Sequence, residues 1–506
     1  MSKPILAAAI DIGSNAIKMI IADIEHPGEL HILEDVKLDS TIGDDTFTTG
    51  RIRSEAMFSV CRSLRQMSQL MKDYGVRNYR ACATSGVREA SNKLYFLEYV
   101  KQATHIQIEL IDHAVEHYLT YQALHHGVPS MEIMRNEGLL IVEIGSAGVQ
   151  VSLFTAGKLC FTESIRIGTL KLKEILDSLR TESLQYTNVL QQYIESQIWL
   201  LLKRFEGLTI PHFLISGGES TSIGHKWGCE TQGVHVLGQD SFLRHHRDIL
   251  QSGIFKLAHQ FQLDEERADQ IIPTSIMMSE FWKSTQAEHV IIPDVSLRHG
   301  LLHQMAIERT GSNHTIQYQE DIISLALHAV SRYKLDMKHS LNIQQHALKI
   351  LNVCQRLFTI HPIDELCLQL ACLLHDIGKY ISQEGHEVNS YHILKSMELM
   401  GLSDKQKDMV ASIALYHPRG VSVPIRPDYS DEENLTLARL TSILKLANAL
   451  DCSHQQPIKD IRITKKNNRL MIKPVHESSL ELEAWAFMQE SSFFEQISGY
   501  SIVLER

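Results

Sequence analysis

One strand-turn-strand segment occurs twice in this chain. Residues 9–22 read AIDIGSNAIKMIIA, and residues 141–154 read IVEIGSAGVQVSLF. At an offset of 132, Asp11 falls on Glu143, Ile12 on Ile144, Gly13 on Gly145 and Ser14 on Ser146. Ile17, Met19 and Ile21 fall on Val149, Val151 and Leu153. Each copy predicts a strand, an acid-Ile-Gly-Ser turn and a second strand with period-two alternation. A duplication of this kind predicts two related α/β lobes with a cleft between them. Glycine lets a turn take a positive φ and lets a ligand approach the backbone, and successive amides can then point at a phosphate. Two such turns, each preceded by a carboxylate, suit a phosphate chain with a divalent metal.

A length of 506 residues exceeds one hydrophobic core and predicts two to four domains. The net charge of −11 argues against a general nucleic-acid or membrane-surface binder, and leaves room for an anionic substrate in a local pocket. No Cys pair has C-x-x-C spacing, so the eight cysteines read as reduced core thiols. The apolar run Ile5–Ile10 is too short for a signal segment or a span, and no later stretch approaches 18 uncharged apolar residues. A cytoplasmic enzyme is expected.

Strands are predicted at Leu6–Ile12, Ile17–Asp23, Leu30–Val36, Tyr79–Thr84, Ile106–Ile111 and Leu139–Ile144, with helices between several of them. Residues 54–74 carry Met57, Val60, Cys61, Leu64, Met67, Leu70 and Met71 at helical spacing. Residues 320–454 are mostly helical in pattern. The tail, 459–506, predicts a hairpin around Lys465-Lys466-Asn467-Asn468, a helix within Leu480–Gln496 and a last strand at Ser501–Leu504.

Several blocks resemble the exopolyphosphatase / guanosine pentaphosphate phosphohydrolase family, which has the sugar kinase–Hsp70–actin fold. Ala9–Asn15 matches its A-I-D-x-G-S-N opening, and Ala83–Asn92 (ATSGVREASN) matches its A-T-S-A-x-R-E-A-x-N block. Gly168–Leu172 (GTLKL), Gly217–Gly218, Glu266–Pro273 (ERADQIIP) and Leu297–Gly300 (LRHG) follow in family order. The resemblance implies two duplicated actin-like, ribonuclease H-like lobes with a central cleft, at 1–132 and 133–310. It implies hydrolysis of the terminal phosphate of inorganic polyphosphate, or of the 5′-terminal phosphate of guanosine pentaphosphate, with Mg²⁺ or Mn²⁺. Gly13, Ser14 and Asn15 would form the first phosphate loop, with Asp11 near the metal. Arg88 would grip phosphate as a bidentate fork.

The family's S-G-x-E-E-A segment, which supplies the general base, is here Asp112-His113-Ala114-Val115-Glu116-His117, so Glu116 inherits that role. The family's D-I-G-G-G-S-T-E loop is here Glu143-Ile144-Gly145-Ser146-Ala147-Gly148-Val149-Gln150. Backbone amides of Gly145, Ser146, Ala147 and Gly148 can still cradle phosphate. Glu143 keeps the acid at the metal. Gln150 takes a catalytic glutamate's place and can serve neither as a base nor as an anionic ligand.

The C-terminal half has a chemistry of its own. The apolar run Leu366–Leu374 ends in His375-Asp376-Ile377-Gly378-Lys379. This H-D-x-G-K pattern resembles the HD-type metal phosphohydrolases. Adjacent His and Asp offer an imidazole and a carboxylate to one divalent ion, Gly378 is expected to end the helix, and Lys379 can meet a phosphate. That resemblance adds His339 and Asp451 as ligands, with His417 and His392 as candidates for a second ion or a phosphate contact. His346, seven residues after His339, is the residue most easily confused with it. The HD-type domain is expected at 315–456 and a small α/β cap at 457–506.

Exopolyphosphatase is the first function these motifs imply and guanosine pentaphosphate 5′-phosphohydrolase the second. A third is a polyphosphate or alarmone sensor with an impaired first site and an HD-type phosphohydrolase domain. The family further implies a homodimer.

Overall fold

In the computed structural model of the chain, residues 5–26, 29–180, 186–310 and 314–505 are described. The chain forms two compact units, Met1–Gln317 and Tyr318–Arg506.

The first unit holds two sheets. One has five strands: β1 Ile5–Ile12, β2 Ala16–His26, β3 Glu29–Asp39, β4 Asn78–Ala83 and β5 Glu109–Leu110, in the order β3-β2-β1-β4-β5. The other contains β6 Leu139–Ile144, β7 Val149–Thr155, β8 Lys158–Ile165, β9 His212–Gly217, β10 Cys229–Thr231, β11 Val234–Gly238 and β12 His289–Pro293. Its order is β10-β11-β12-β9-β6-β7-β8. Read from β8, its first five strands repeat the first sheet's order. Their directions agree as well: an antiparallel pair of hairpins on one side of β1 or β6, and parallel neighbours on the other.

The repeat extends to register. Ile12 pairs with Ile17 and Ile144 with Val149 to close the two hairpins, and the next rungs are Asp11–Lys18 and Glu143–Gln150. The Gly13 amide bonds Ala16 O at 3.0 Å and the Gly145 amide bonds Gly148 O at 2.8 Å.

Period-two alternation sorts β1 between two cores. Ala8, Ile10 and Ile12 pack with Val60, Leu64 and Met67 of the helix Ser54–Asp73. Ala7 and Ala9 pack with Leu301 and Leu302 of the helix Leu297–Thr310. A strand buried on both faces reads as a continuous apolar run, as Ile5–Ile10 does. The helix Leu297–Thr310, which sequence places in the second lobe, therefore packs on the first sheet. The strand expected at Ile106–Ile111 is reduced to Glu109–Leu110: Ile106 and Ile111 are buried core residues, and only Glu109 and Leu110 pair with β4.

The second unit is helical around the apolar helix Pro362–Leu374, which packs against Met337–Cys354, Asp404–Leu415 and Asp431–Ala449. The tail forms β13 Ile458–Lys466, β14 Arg469–His476 and β15 Ser501–Leu504, with the helix Glu481–Ser498. It lies in the same compact unit as those helices. Among the described residues no helix is long and apolar enough to cross a membrane.

Candidate functional site

The first glycine turn is held from three directions. The Thr84 amide, at the end of β4, bonds Ile12 O at 3.3 Å, which brings the ATSGVREASN block beside the turn. A Cβ on Gly86 would lie 2.9 Å from Ser14 Oγ, so only glycine admits Ser14 there. The Gly43 amide bonds Ser14 O at 2.9 Å. A Cβ on Gly43 would lie 2.7 Å from Ser14 Cβ and 2.9 Å from Leu170 Cδ1. Leu170 in turn donates its amide to Ser146 O of the second turn at 3.1 Å, as Lys171 does at 3.2 Å. Gly43 and Leu170 thus join the two glycine turns, and a Cβ on Gly168 would fall on the Ser146 carbonyl.

The structure changes the reason for the glycines. Positive φ was expected, yet Gly13, Gly145 and Gly148 are absent from the left-handed residues. Close approach requires them instead: a Cβ on Gly13 would meet Ala16 O at 3.2 Å, one on Gly145 would meet Gly148 O at 3.0 Å, and one on Gly148 would meet Ile165 O at 2.8 Å. Positive φ does occur at Gly217 and Gly218, where a tight turn ends β9 against the Ile144 carbonyl. The buried Glu219 that follows receives a bidentate fork from Arg267 of the ERAD block, at 2.9 and 3.0 Å.

Asp11 and Glu143 are both partly wrapped by protein. Asp11 Oδ1 and Glu143 Oε1 are buried without a hydrogen-bond partner. Burial raises the Asp11 carboxyl to about 6, against the pull of Lys18 across the hairpin. His117 Nε2 stands 3.2 Å from Glu143 Oε1. The unpartnered Asp11 oxygen, with the Glu143 carboxylate that faces His117, suits a magnesium ion that completes its shell with substrate phosphates and water.

Arg88 donates to Ile111 O and to Glu116 Oε2, both at 2.9 Å. Burial pushes the Glu116 carboxyl up, but His113 and Arg88 outweigh it and hold the group below its usual range. Glu116 lies on the helix His113–Gly127, whose side chains at every fourth position meet the second sheet. His113 contacts Gln150 and Ser164, His117 contacts Ser152 at 3.1 Å, and Tyr121 stacks on Phe154. Arg88, Glu116, His113 and Gln150 therefore form one polar chain from the first sheet to the second.

In the second unit, Asp336 caps the helix Met337–Cys354 and sets His339 in its first turn. His375 closes the helix Pro362–Leu374, and Asp376 follows directly. The helix itself ends at Leu374; Gly378 lies in the following short 3-10 turn and serves a close crossing instead. A Cβ there would strike the His386 carbonyl, and the Gly378 amide bonds Ser390 Oγ at 2.9 Å. This crossing brings His386 to 3.3 Å from Asp376 Oδ1.

Two groups of three potential metal ligands result, sharing Asp376: His375, Asp376 and His417, and His339, Asp376 and His454. The Nε2 atoms of His375 and His339 are buried without partners, while His375 Nδ1 is engaged by Cys372 O. Burial lowers His375 to about 4 and His417 to about 3, so both imidazoles are neutral at pH 7, as ligands must be. Asp376 is held far below its usual range: burial opposes this, but His375, His386 and Lys379 prevail.

Among the described residues these two groups are the only sets of three, and neither includes Asp11 or Glu143. Asp451 stands as the hydrogen-bond partner of His339 Nδ1 at 2.8 Å rather than within a group. Lys379 bonds Asp376 at 2.6 Å. His392 lies outside both groups and edges the Tyr391 ring, and it is His386 Nε2 that stands 3.4 Å from His417 Nε2. His346 faces Ile458 O, away from the groups.

Sequence reasoning did not single out His113, His117, His386 or His454. The first two were visible as H-x-x-x-H-x-x-x-Y, a helix-face pattern. No comparable spacing marks His386 and His454, which arrive by a helix crossing and by a turn in which His454 has φ 57°.

The chain matches the model of the Ppx/GppA phosphatase family over residues 20–308, and that of Ppx/GppA phosphatase domain III over residues 324–489. It is 22% identical over 500 residues to a guanosine-5′-triphosphate,3′-diphosphate pyrophosphatase of Aliivibrio fischeri, covering 94% of this chain and 95% of that one. The protein of that name from Vibrio vulnificus is 21% identical over 501 residues, 95% of each chain. Among solved structures, an exopolyphosphatase from Cytophaga hutchinsonii covers 60% of this chain and 98% of its own at 21% identity, with a TM-score of 0.53. The Aquifex aeolicus member of the Ppx/GppA family covers 61% and 100% at 20% identity, with a TM-score of 0.51. These two structures show the fold.

Proposed function

The chain belongs to the Ppx/GppA phosphatase family and is a phosphohydrolase, and from that premise we propose that it removes the 5′-terminal phosphate of guanosine pentaphosphate. The observation that carries this choice is the end-to-end match: relatives named for guanosine-5′-triphosphate,3′-diphosphate align over 94–95% of this chain and of their own. This reverses the order in which the motifs alone rank the two substrates.

The first unit is the proposed active unit. The Gly13 and Gly145 amides close their own turns, so the amides of Ser14, Asn15, Ser146, Ala147 and Gly148 are the ones that cradle the phosphates, as backbone donors need no particular side chain. Arg88 stabilises charge that develops on the transferred group. Asp11 and Glu143 would hold Mg²⁺ or Mn²⁺, which supplies charge neutralisation at the phosphoryl oxygens when bound. Glu116, paired with Arg88, anchors the side of the site that handles the attacking water. The Gly217-Gly218-Glu219 turn, braced by Arg267, supports a nucleoside at the end of β9.

In the second unit, two triads that share Asp376 would each hold a divalent ion, His375, Asp376 and His417 in one and His339, Asp376 and His454 in the other, with Asp451 orienting His339 and His386 as a further donor. Orphaned buried nitrogens and neutral imidazoles support this assignment.

Phosphate release from guanosine pentaphosphate and from long-chain polyphosphate, side by side with Mg²⁺, tests the substrate. Release from the nucleotide with a kcat/KM at least about tenfold higher is expected. Faster release from polyphosphate would return the assignment to exopolyphosphatase, and binding without release would make the first unit a sensor.

A further inference from the structure

Two departures from the family motifs meet beside the second glycine turn. Glu143 stands where the D-I-G-G-G-S-T-E loop has aspartate, and His117 stands where the S-G-x-E-E-A segment has alanine. His117 Nε2 lies 3.2 Å from Glu143 Oε1. The longer acid and the larger neighbour therefore face each other, directly ahead of Ile144 and Gly145.

The ring is fixed from its own side. The His117 side chain keeps 1% of its exposure. His113, His117 and Tyr121 follow one face of the helix His113–Gly127 and meet Gln150, Ser152 and Phe154, alternate residues of β7. Ser152 Oγ is 3.1 Å from His117 Nε2 and donates to Thr162 Oγ1 at 3.4 Å. With its proton turned to Thr162, the Ser152 hydroxyl meets the ring as an acceptor, which assigns the ring proton to Nε2. That N–H then lies between Ser152 Oγ and Glu143 Oε1.

The acid needs such a neighbour. Glutamate has one methylene more than aspartate, so its carboxylate can overreach a site built for aspartate by about 1.5 Å, one C–C bond. Glu143 Oε1 is buried and makes no hydrogen bond. A buried anionic oxygen is favoured beside an N–H and disfavoured beside a methyl group. With Oε1 turned to the ring, Oε2 is left for a cation.

We propose that His117 is a positioning residue for the metal of the first unit: it draws Glu143 Oε1 aside, takes up the reach of the extra methylene and so sets Oε2 at the metal. This rests on the assignment of Glu143 to the metal given above. His117 acts through Glu143, as the partners of ligating carboxylates do. The His117–Glu143 pair is one device that replaces the alanine and the aspartate of the motifs together.

The test is a double-mutant cycle in the full chain: wild type, His117→Ala, Glu143→Asp and the double variant. Each also carries Asp376→Asn, which removes the carboxylate that the second unit's two groups share. Mn²⁺ binding by electron paramagnetic resonance, with Mg²⁺ in competition, reads the site without turnover, and thermal melts establish that each variant is folded. His117→Ala should weaken Mn²⁺ binding by about 10–100-fold, the cost of removing the partner of a metal ligand. The same loss should appear in the Mg²⁺ concentration that gives half-maximal phosphate release. In the Glu143→Asp background His117→Ala should change the affinity by less than about twofold, the scatter of independent sites, because the shorter acid does not reach the ring. A folded His117→Ala with unchanged Mn²⁺ affinity, or an equal loss in both backgrounds, would overturn the inference and leave the functional assignment standing. Mn²⁺ binding that Glu143→Gln leaves intact would overturn the metal assignment and the inference with it. Mn²⁺ binding that follows the predicted cycle, in a wild type that releases no phosphate, would support the inference and overturn the proposed function alone.

Discussion

At the scale of single residues, most of the chemistry lies in close approaches. Gly86, Gly168 and Gly378 are each pressed against a hydroxyl or a backbone that a methyl group would strike. Gly378→Ala should therefore destabilise the second unit by about 1–3 kcal/mol, the usual cost of overpacking. It should also weaken divalent-metal binding by displacing His386; urea unfolding and metal titration measure the two effects. Arg88→Lys keeps the charge, but lysine is shorter than arginine, whose Nη1 donates to both Ile111 O and Glu116 Oε2, and it lacks the second terminal nitrogen that a phosphate could take. A fall in kcat/KM of about 10–100-fold is expected from steady-state phosphate release. Asp11, Glu143, Arg88, Glu116 and the H-D pair could be nominated from sequence because each sits inside a contiguous motif. His113 and His386 were not. Their partners, Gln150 and Asp376, lie 37 and 10 residues away in sequence and meet them only through tertiary packing.

At the scale of elements, hairpin register and helix caps fix where the site residues stand. The strand expectations at Leu139–Ile144 and Ser501–Leu504 coincide with β6 and β15, because turn residues bound each run. The expectation at Ile106–Ile111 shrank to two residues, since a short apolar run can be core without pairing. Fold legibility was thus highest where alternation and punctuation agreed. The helix Asp431–Ala449, just ahead of Asp451, starts in a capping box between Ser430 and Glu433. Ser430→Ala should cost about 1 kcal/mol, read as a lower urea midpoint with an unchanged m-value.

At the scale of the whole molecule, the two compact units each bury an apolar core. Each also buries a neutral histidine: burial lowers both His246 in the first unit and His346 in the second to about 4, from 6.5. Between those values the unfolded chain holds more protons than the folded one, so stability rises with pH there. Their contribution is complete above about pH 6.5 and is lost as pH falls toward about 4. Melts at pH 7 and pH 5 should show a drop, and His246→Phe should flatten it for the first unit. The duplication at residues 9–22 and 141–154 foretold the paired sheets, while the packing of the helix Leu297–Thr310 on the first sheet left no trace in local pattern. The negative total charge is compatible with a polyanionic substrate, because turn amides, Arg88 and bound cations would meet the phosphates locally. The central claim is phosphate hydrolysis at the first unit's paired turns, and one comparison tests it most directly: 5′-phosphate release from guanosine pentaphosphate with Mg²⁺ by wild type and by Glu116→Gln. Wild type should release one phosphate per nucleotide and the variant should be slower by about 100-fold or more. Equal rates, or no release by the wild type, would contradict it.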